Sequence, residues 1–214
     1  MRKQTDIYPV YKFSELPEKV QQNLVEEQCQ VSSEFFGGAE WVYKDAAMIA
    51  DLFGLDINTR TGKNSKGETT YSPNIYYSGF WHQGDGACYE GNYRYKAGSL
   101  KAVKAYAPQD TTLHRIVKDL QRVQSKNFYR LTASTDQRGH YYHSGCMQVT
   151  VERQDGKEMT ADAEEIITQA FRAFADWIYD KLEDAYNWDT SEENARDYLE
   201  NNDDDEYKIN GERI

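Results

Sequence analysis

The sequence predicts an α+β domain: an antiparallel four-stranded sheet from two β-hairpins, about four packing helices, and an acidic C-terminal tail. Three observations predict it. The apolar period changes along the chain from about 3.6 residues to two and back. The two regions of period two each contain a turn and no helical crossover, so their strands run antiparallel. The formal net charge of −11 is concentrated near the end of the chain.

The elements follow in order. Phe13-Ser14-Glu15-Leu16-Pro17 reads as a helix start, with Ser14 able to cap and Pro17 tolerated in a first turn. That helix runs to about residue 29, with Leu16, Val20, Leu24 and Cys29 facing inward. A second helix over 39–53 carries Val42, Ala46, Ile49, Ala50 and Phe53 on one stripe, and Gly54 ends it. Residues 56–73, rich in Asn, Thr, Gly and Lys, read as an exposed loop or extended segment. Strands over 75–81 and 87–95 join through His82-Gln83-Gly84-Asp85-Gly86, and Tyr89, Tyr93 and Tyr95 share a face. Gly79 and Gly91 inside these strands suggest a bulge or a close backbone approach. A third helix covers 111–126, with Leu113, Ile116, Leu120 and Val123 inside. A second hairpin pairs 128–134 with 141–153, and a long helix over 162–186 buries Ile167, Phe171, Phe174, Ile178 and Leu182. The remainder, partly helical around 191–200, makes residues 187–214 an acidic extension to a domain of 1–186.

The 214 residues suit one domain with appendages. Hydrophobic residues reach only 39%, but 17 Tyr, 8 Phe and 4 Trp allow a core built on rings. No apolar signal core follows the first residues, and no stretch approaches the roughly 20 apolar residues of a membrane helix. Three distant cysteines, Cys29, Cys88 and Cys146, argue against a disulfide framework and for a reducing compartment. The expected setting is therefore soluble and intracellular, with no membrane partner.

Catalytic and metal chemistry find little support. His82, Cys88, His140, His143 and Cys146 lack zinc-ligand spacing, neither thiol sits where it would be activated, and no phosphate-cradling glycine motif is present. The reading leans against an enzyme and expects neither cofactor nor metal. Charge is more informative. Residues 180–206 hold twelve acids against two bases, a net −10, and residues 94–130 hold nine bases against two acids, a net +7.

These biases define the candidate surfaces. The acidic one comprises Asp189, Glu192, Glu193, Asp197, Glu200, Asp203, Asp204 and Asp205, suited to imitating nucleic-acid phosphates. The basic and aromatic one comprises Tyr93, Arg94, Tyr95, Arg115, Lys118 and Arg122, suited to a nucleotide or single-stranded nucleic acid. Within the first hairpin, Gly79, Gly84, Asp85 and Gly86 serve turn geometry and Trp81 is expected to anchor the core.

The sequence also resembles a family of small phage and prophage proteins, some labelled antitoxins of toxin–antitoxin stability systems. The resemblance rests on Phe13-Ser14-Glu15-Leu16, on Ile75-Tyr76-Tyr77-Ser78-Gly79-Phe80-Trp81-His82-Gln83-Gly84-Asp85-Gly86-Ala87-Cys88-Tyr89-Glu90-Gly91, and on Glu206-Tyr207-Lys208-Ile209-Asn210-Gly211-Glu212-Arg213-Ile214. It implies phage origin and the cytoplasm of a bacterial host, and it supplies no catalytic residues. The function expected is that of a phage binding protein of the anti-restriction or anti-CRISPR kind. It would inhibit a host defence or nucleic-acid-processing factor by occlusion or acidic mimicry. The alternatives are an antitoxin binding its co-encoded toxin, and an enzyme or small-ligand-sequestering protein using the hairpin pocket. Homodimerisation stays open.

Overall fold

Helix α2 (Ala39–Phe53) follows its apolar stripe to the residue, and it opens the larger of two compact units, residues 40–183. The structure, a computed structural model, describes residues 9–36, 38–202 and 204–214. After α2 come strands β1 (Leu55–Ile57), β2 (Thr59–Lys63), β3 (Thr69–Pro73), β4 (Ile75–Tyr77), β5 (Ala87–Tyr89) and β6 (Gly91–Arg94). Helices α3 (Ser99–Tyr106) and α4 (Thr111–Lys126), strands β7 (Leu131–Gln137) and β8 (Met147–Arg153), and the long helix α5 (Ala163–Asp189) complete the succession.

The α+β class and the four-stranded antiparallel sheet are as the sequence predicts, but the sheet order is β1-β6-β7-β8. The second strand of the first hairpin is interrupted at Glu90. Its first part, β5, pairs with β4 as a separate ribbon, and its second part, β6, enters the main sheet between β1 and β7. The edge strand β1 comes from the region expected to be loop or extended, where Leu55 and Ile57 are buried around exposed Asp56. That alternation is short, and polar neighbours obscure it. Beyond it, β2 and β3 form an exposed ribbon whose turn is held by Asn64: its side-chain oxygen accepts from the backbone N–H of Lys66 and Glu68 at 3.0 and 2.9 Å. Helix α3 escaped the sequence reading because eight residues with one buried aliphatic, Val103, make too little of a stripe.

The core of this unit is aromatic, as the composition implied. Phe174 meets Phe53 at 5.1 Å, Tyr89 at 5.6 Å and Trp177 at 5.6 Å, and Phe171 meets Tyr93 at 5.5 Å. Asp110 ties two helices together. One carboxylate oxygen caps α4 by accepting from Leu113 N–H at 2.9 Å, and the other accepts from the Trp177 indole N–H at 2.7 Å. The fully buried Gln124 acts as a strand surrogate: its amide donates to the Leu131 carbonyl at 2.8 Å and accepts from Leu131 N–H at 3.2 Å.

The second unit combines both ends of the sequence. Residues 184–214 cluster with residues 1–39. Helix α1 (Glu18–Glu34) and α6 (Glu192–Asn201) share a core of Phe13, Leu16, Val25, Ala195, Leu199 and Tyr207. Pro17, rather than Ser14, stands at the α1 N-cap, and a 3-10 turn over Phe13–Glu15 precedes it. Ser191 caps α6 by accepting from Asn194 N–H at 3.1 Å. Tyr207 bridges to Tyr11 and to Arg213, which fixes the last residues described. Hydrophobic burial contributes to the ordering of this acidic sequence, since Ala195, Leu199 and Tyr207 each join the apolar core.

Candidate functional site

Strand β4 ends at Tyr77, and residues 78–86 form a loop braced by hydrogen bonds at its base and across its turn. Ser78 N–H donates to the Gly86 carbonyl at 3.2 Å and closes its base, and Asp85 N–H donates to the His82 carbonyl at 3.1 Å. The Asp85 side chain, 13% exposed, turns inward, and one oxygen accepts from Trp81 N–H at 2.8 Å and His82 N–H at 2.7 Å. Gly79 and Gly84 have φ of +52° and +96°, conformations that L side chains adopt rarely. A β-carbon on Gly86 would lie 2.9 Å from the His143 ring, so a side chain there would force a neighbour to shift.

The anchor expectation fails by one residue. Phe80, not Trp81, enters the core, lying between the Tyr77 ring at 5.5 Å and the Tyr179 ring at 5.6 Å. The Tyr179 hydroxyl also donates to the Gly79 carbonyl at 3.2 Å. Trp81 is 72% exposed.

The connection 138–146 lies against this loop. Ser78 Oγ donates to the Tyr142 carbonyl at 3.4 Å, and the Tyr141 ring comes within 3.8 Å of where a Gly84 β-carbon would be. Tyr142 stacks on Tyr76 at 5.2 Å, and the Arg60 guanidinium lies 5.1 Å from the Tyr76 ring centre. His140 and His143 fall in this connection, not in a strand, and His143 Nδ1 accepts from Gly145 N–H at 2.9 Å. Burial, then Glu90 and Cys146, push the Cys88 thiol up to about 12, so it stays protonated and unreactive at neutral pH. Among the described residues, no three His, Cys, Asp or Glu side chains gather as metal ligands would.

The expected basic and aromatic surface is only partly assembled. Tyr93 is buried against Phe171 and its phenol is pushed up to about 12 by burial, so it offers no stacking face. Arg94 and Tyr95 line a groove of about 620 Å³ together with Asp51, Asp56 and Lys96, and Lys96 pairs with Asp51 at 3.0 Å. Arg115 and Arg122 border a separate cleft of about 190 Å³ between α4 and α5, where Arg122 pairs with Asp119 at 3.0 Å. Lys118 is exposed and lines neither.

The acidic set also divides. The Asp189 carboxylate accepts from Gly38 N–H at 3.2 Å, and Asp205 pairs with Arg213 at 2.7 Å, so these two hold the small unit together. Glu192, Glu193, Asp197 and Glu200 are exposed on α6, as is Asp204, while Asp203 lies outside the described residues. By sequence, 1–39 with 184–214 carries 17 acids against 7 bases, whereas 40–183 carries 19 against 18. Nearly all of the net −11 therefore belongs to the small unit.

A family model, Domain of unknown function (DUF8835), matches residues 39–192, most of the chain. The chain belongs to the DUF8835 family. No curated protein and no solved structure matches it. The DUF8835 match takes in the whole 40–183 unit, including the 78–86 loop, whereas Glu193, Asp197, Glu200 and Asp204 of the acidic set lie beyond it. Among the described residues no helix is long and apolar enough to cross a membrane. Sequence reasoning missed Trp81 as a surface residue. The signal was present in Asp85, placed to accept from two preceding backbone N–H groups, and in glycines that turn the chain before and after the ring.

Proposed function

We propose that this DUF8835 protein is a binding protein that captures a basic, nucleic-acid-binding protein through the acidic face of α6. The supporting observation is charge segregation. The small unit holds nearly all the net charge, and Glu192, Glu193, Asp197 and Glu200 stand on the exposed side of a helix whose other side is buried. Four carboxylates on about two helical turns give a row of negative charge of the kind a phosphate backbone presents. A helix pinned by Ala195 and Leu199 keeps that row in place without an ordering cost on binding. The phage resemblance favours a target in the cytoplasm of a bacterial host: a defence or nucleic-acid-processing factor, with a co-encoded toxin as the other basic candidate.

The test is capture from host lysate by the parent chain and by a variant carrying Glu192→Lys, Glu193→Lys, Asp197→Lys and Glu200→Lys. The expected partner is released by added duplex DNA, released progressively by salt, and missing from the variant, whose circular dichroism matches the parent. A partner retained equally by the variant would end the mimicry reading.

A further inference from the structure

Strand β8 stands at the edge of the four-stranded sheet, and its outer side is open in a regular way. Hydrogen-bonded pairs alternate along an antiparallel ladder. Gln154 N–H donates to the Arg130 carbonyl at 2.9 Å, one step past the paired residues, so Glu152, Thr150 and Gln148 point their backbone groups at β7. Met147, Val149, Val151 and Arg153 point theirs away from it. Two of those outward groups are bonded within the chain. Met147 N–H donates to the Ser144 carbonyl, and the Arg153 carbonyl accepts from Gly156 N–H at 2.9 Å. Among the described residues, no partner takes the N–H of Val149, Val151 and Arg153 or the carbonyls of Met147, Val149 and Val151. We propose that this edge pairs antiparallel with β8 of a second copy, about a dyad at Thr150, so that the chain forms a homodimer with one continuous sheet. This goes beyond the α6 reading and uses a different unit of the chain.

Self-complementarity selects the second copy. With Thr150 on the dyad, Arg153 N–H meets the Met147 carbonyl of the second copy. Val151 N–H meets the Val149 carbonyl of that copy, and Val149 N–H its Val151 carbonyl. Every free donor then has a free acceptor. The one opposed pair left out, Met147 N–H with the Arg153 carbonyl, is the pair already bonded within each chain. Moving the dyad to Val149 or Val151 sets a free group against an occupied one. The side chains agree. Gln148, Thr150 and Glu152 are exposed on the open face of the sheet. The same register sets the Gln148 amide opposite the Glu152 carboxylate and Thr150 opposite itself, cross-strand pairs that can hydrogen-bond and oppose no like charges. The strand also lacks the usual guards of an edge: its ladder runs seven residues without a bulge, and Met147 to Glu152 include no proline or lysine. The opposite edge, β1, has only three residues, so pairing through β8 closes as a dimer.

The intact chain is sedimented over a concentration series, and the parent is expected at twice the mass of one chain. Val149→Pro removes an outward N–H without touching the β7 ladder, and Thr150→Lys places two like charges on the dyad. Both variants should sediment at the mass of one chain where the parent is dimeric, with circular dichroism matching the parent. Cross-linking reads the register. Opposed residues of a non-hydrogen-bonded pair have Cα atoms about 4.5 Å apart, within reach of a disulfide. Thr150→Cys should therefore give a covalent dimer on mild oxidation, whereas Gln148→Cys, which opposes Glu152 rather than itself, should give none above the parent. A parent that stays a single chain at every concentration, a dimer retained by Thr150→Lys, or a Thr150→Cys variant that cross-links no better than Gln148→Cys overturns the proposal. The α6 charge-reversal variant should remain dimeric, so failure here and failure of the mimicry reading are read separately.

Discussion

Truncating Phe80 and Trp81 separately distinguishes an anchor from a displayed ring. Phe80 is 9% exposed and packs between two tyrosine rings at 5.5 and 5.6 Å. Phe→Ala in a core costs about 3–5 kcal/mol, and the partial exposure places Phe80→Ala near 3 kcal/mol. In a domain of this size each kcal/mol lowers Tm by about 2–4 °C, so the expected drop is roughly 6–12 °C. Trp81, 72% exposed, has little burial to lose. Surface substitutions stay within about 0.5 kcal/mol, which is at most about 2 °C. Calorimetry and urea midpoints on both variants measure the contrast. If Trp81→Ala falls as far as Phe80→Ala, Trp81 carries the core and the assignment of Phe80 as the anchor fails.

Other outcomes follow from the same geometry. Asp85→Ala removes the acceptor of two backbone N–H groups and should cost about 1–3 kcal/mol, with Asp85→Asn costing less; equal melting temperatures for parent and Asp85→Ala would refute the locked loop. Gln124→Leu strands the backbone N–H and C=O of buried Leu131 and should cost about 2–3 kcal/mol, read as a loss of amide protection in β7; unchanged protection would show the surrogate pairing is dispensable. Alkaline pH should destabilise the fold. Cys88, Tyr43 and Tyr93 are each pushed up to about 12, chiefly by burial, from ordinary values of 9.0, 10.0 and 10.0. The unfolded chain sheds these protons first, so stability is intact below about pH 9 and falls as pH rises towards about 12; a flat Tm over that window would contradict the burial of all three groups.

Much of the architecture is legible in the sequence where an element is long and one-sided. Helices α2 and α4 match their apolar stripes because fifteen or sixteen residues give several turns of periodic signal. Short elements are illegible for the converse reason. Strand β1 has three residues and α3 one buried aliphatic, so neither outweighs the polar composition around it. Pairing is the deeper gap. A hairpin reading joins strands that are neighbours in sequence, but β6 pairs with β1 and β7 rather than with β4.

The candidate sites divide on the same line. Charge belongs to residues and needs no fold, so composition alone located the acidic and basic segments and the absence of metal-ligand spacing in the hairpins. Availability of that charge depends on neighbours distant in sequence. Only the tertiary structure engages Asp189 with Gly38 and Asp205 with Arg213, and only it leaves Glu192, Glu193, Asp197 and Glu200 in solvent on a helix that α1 helps to bury. The choice between Phe80 and Trp81 is of the same kind. Hydrophobicity makes both rings core candidates, and the inward turn of Asp85, with Gly79 in a left-handed conformation, decides which ring the core can reach.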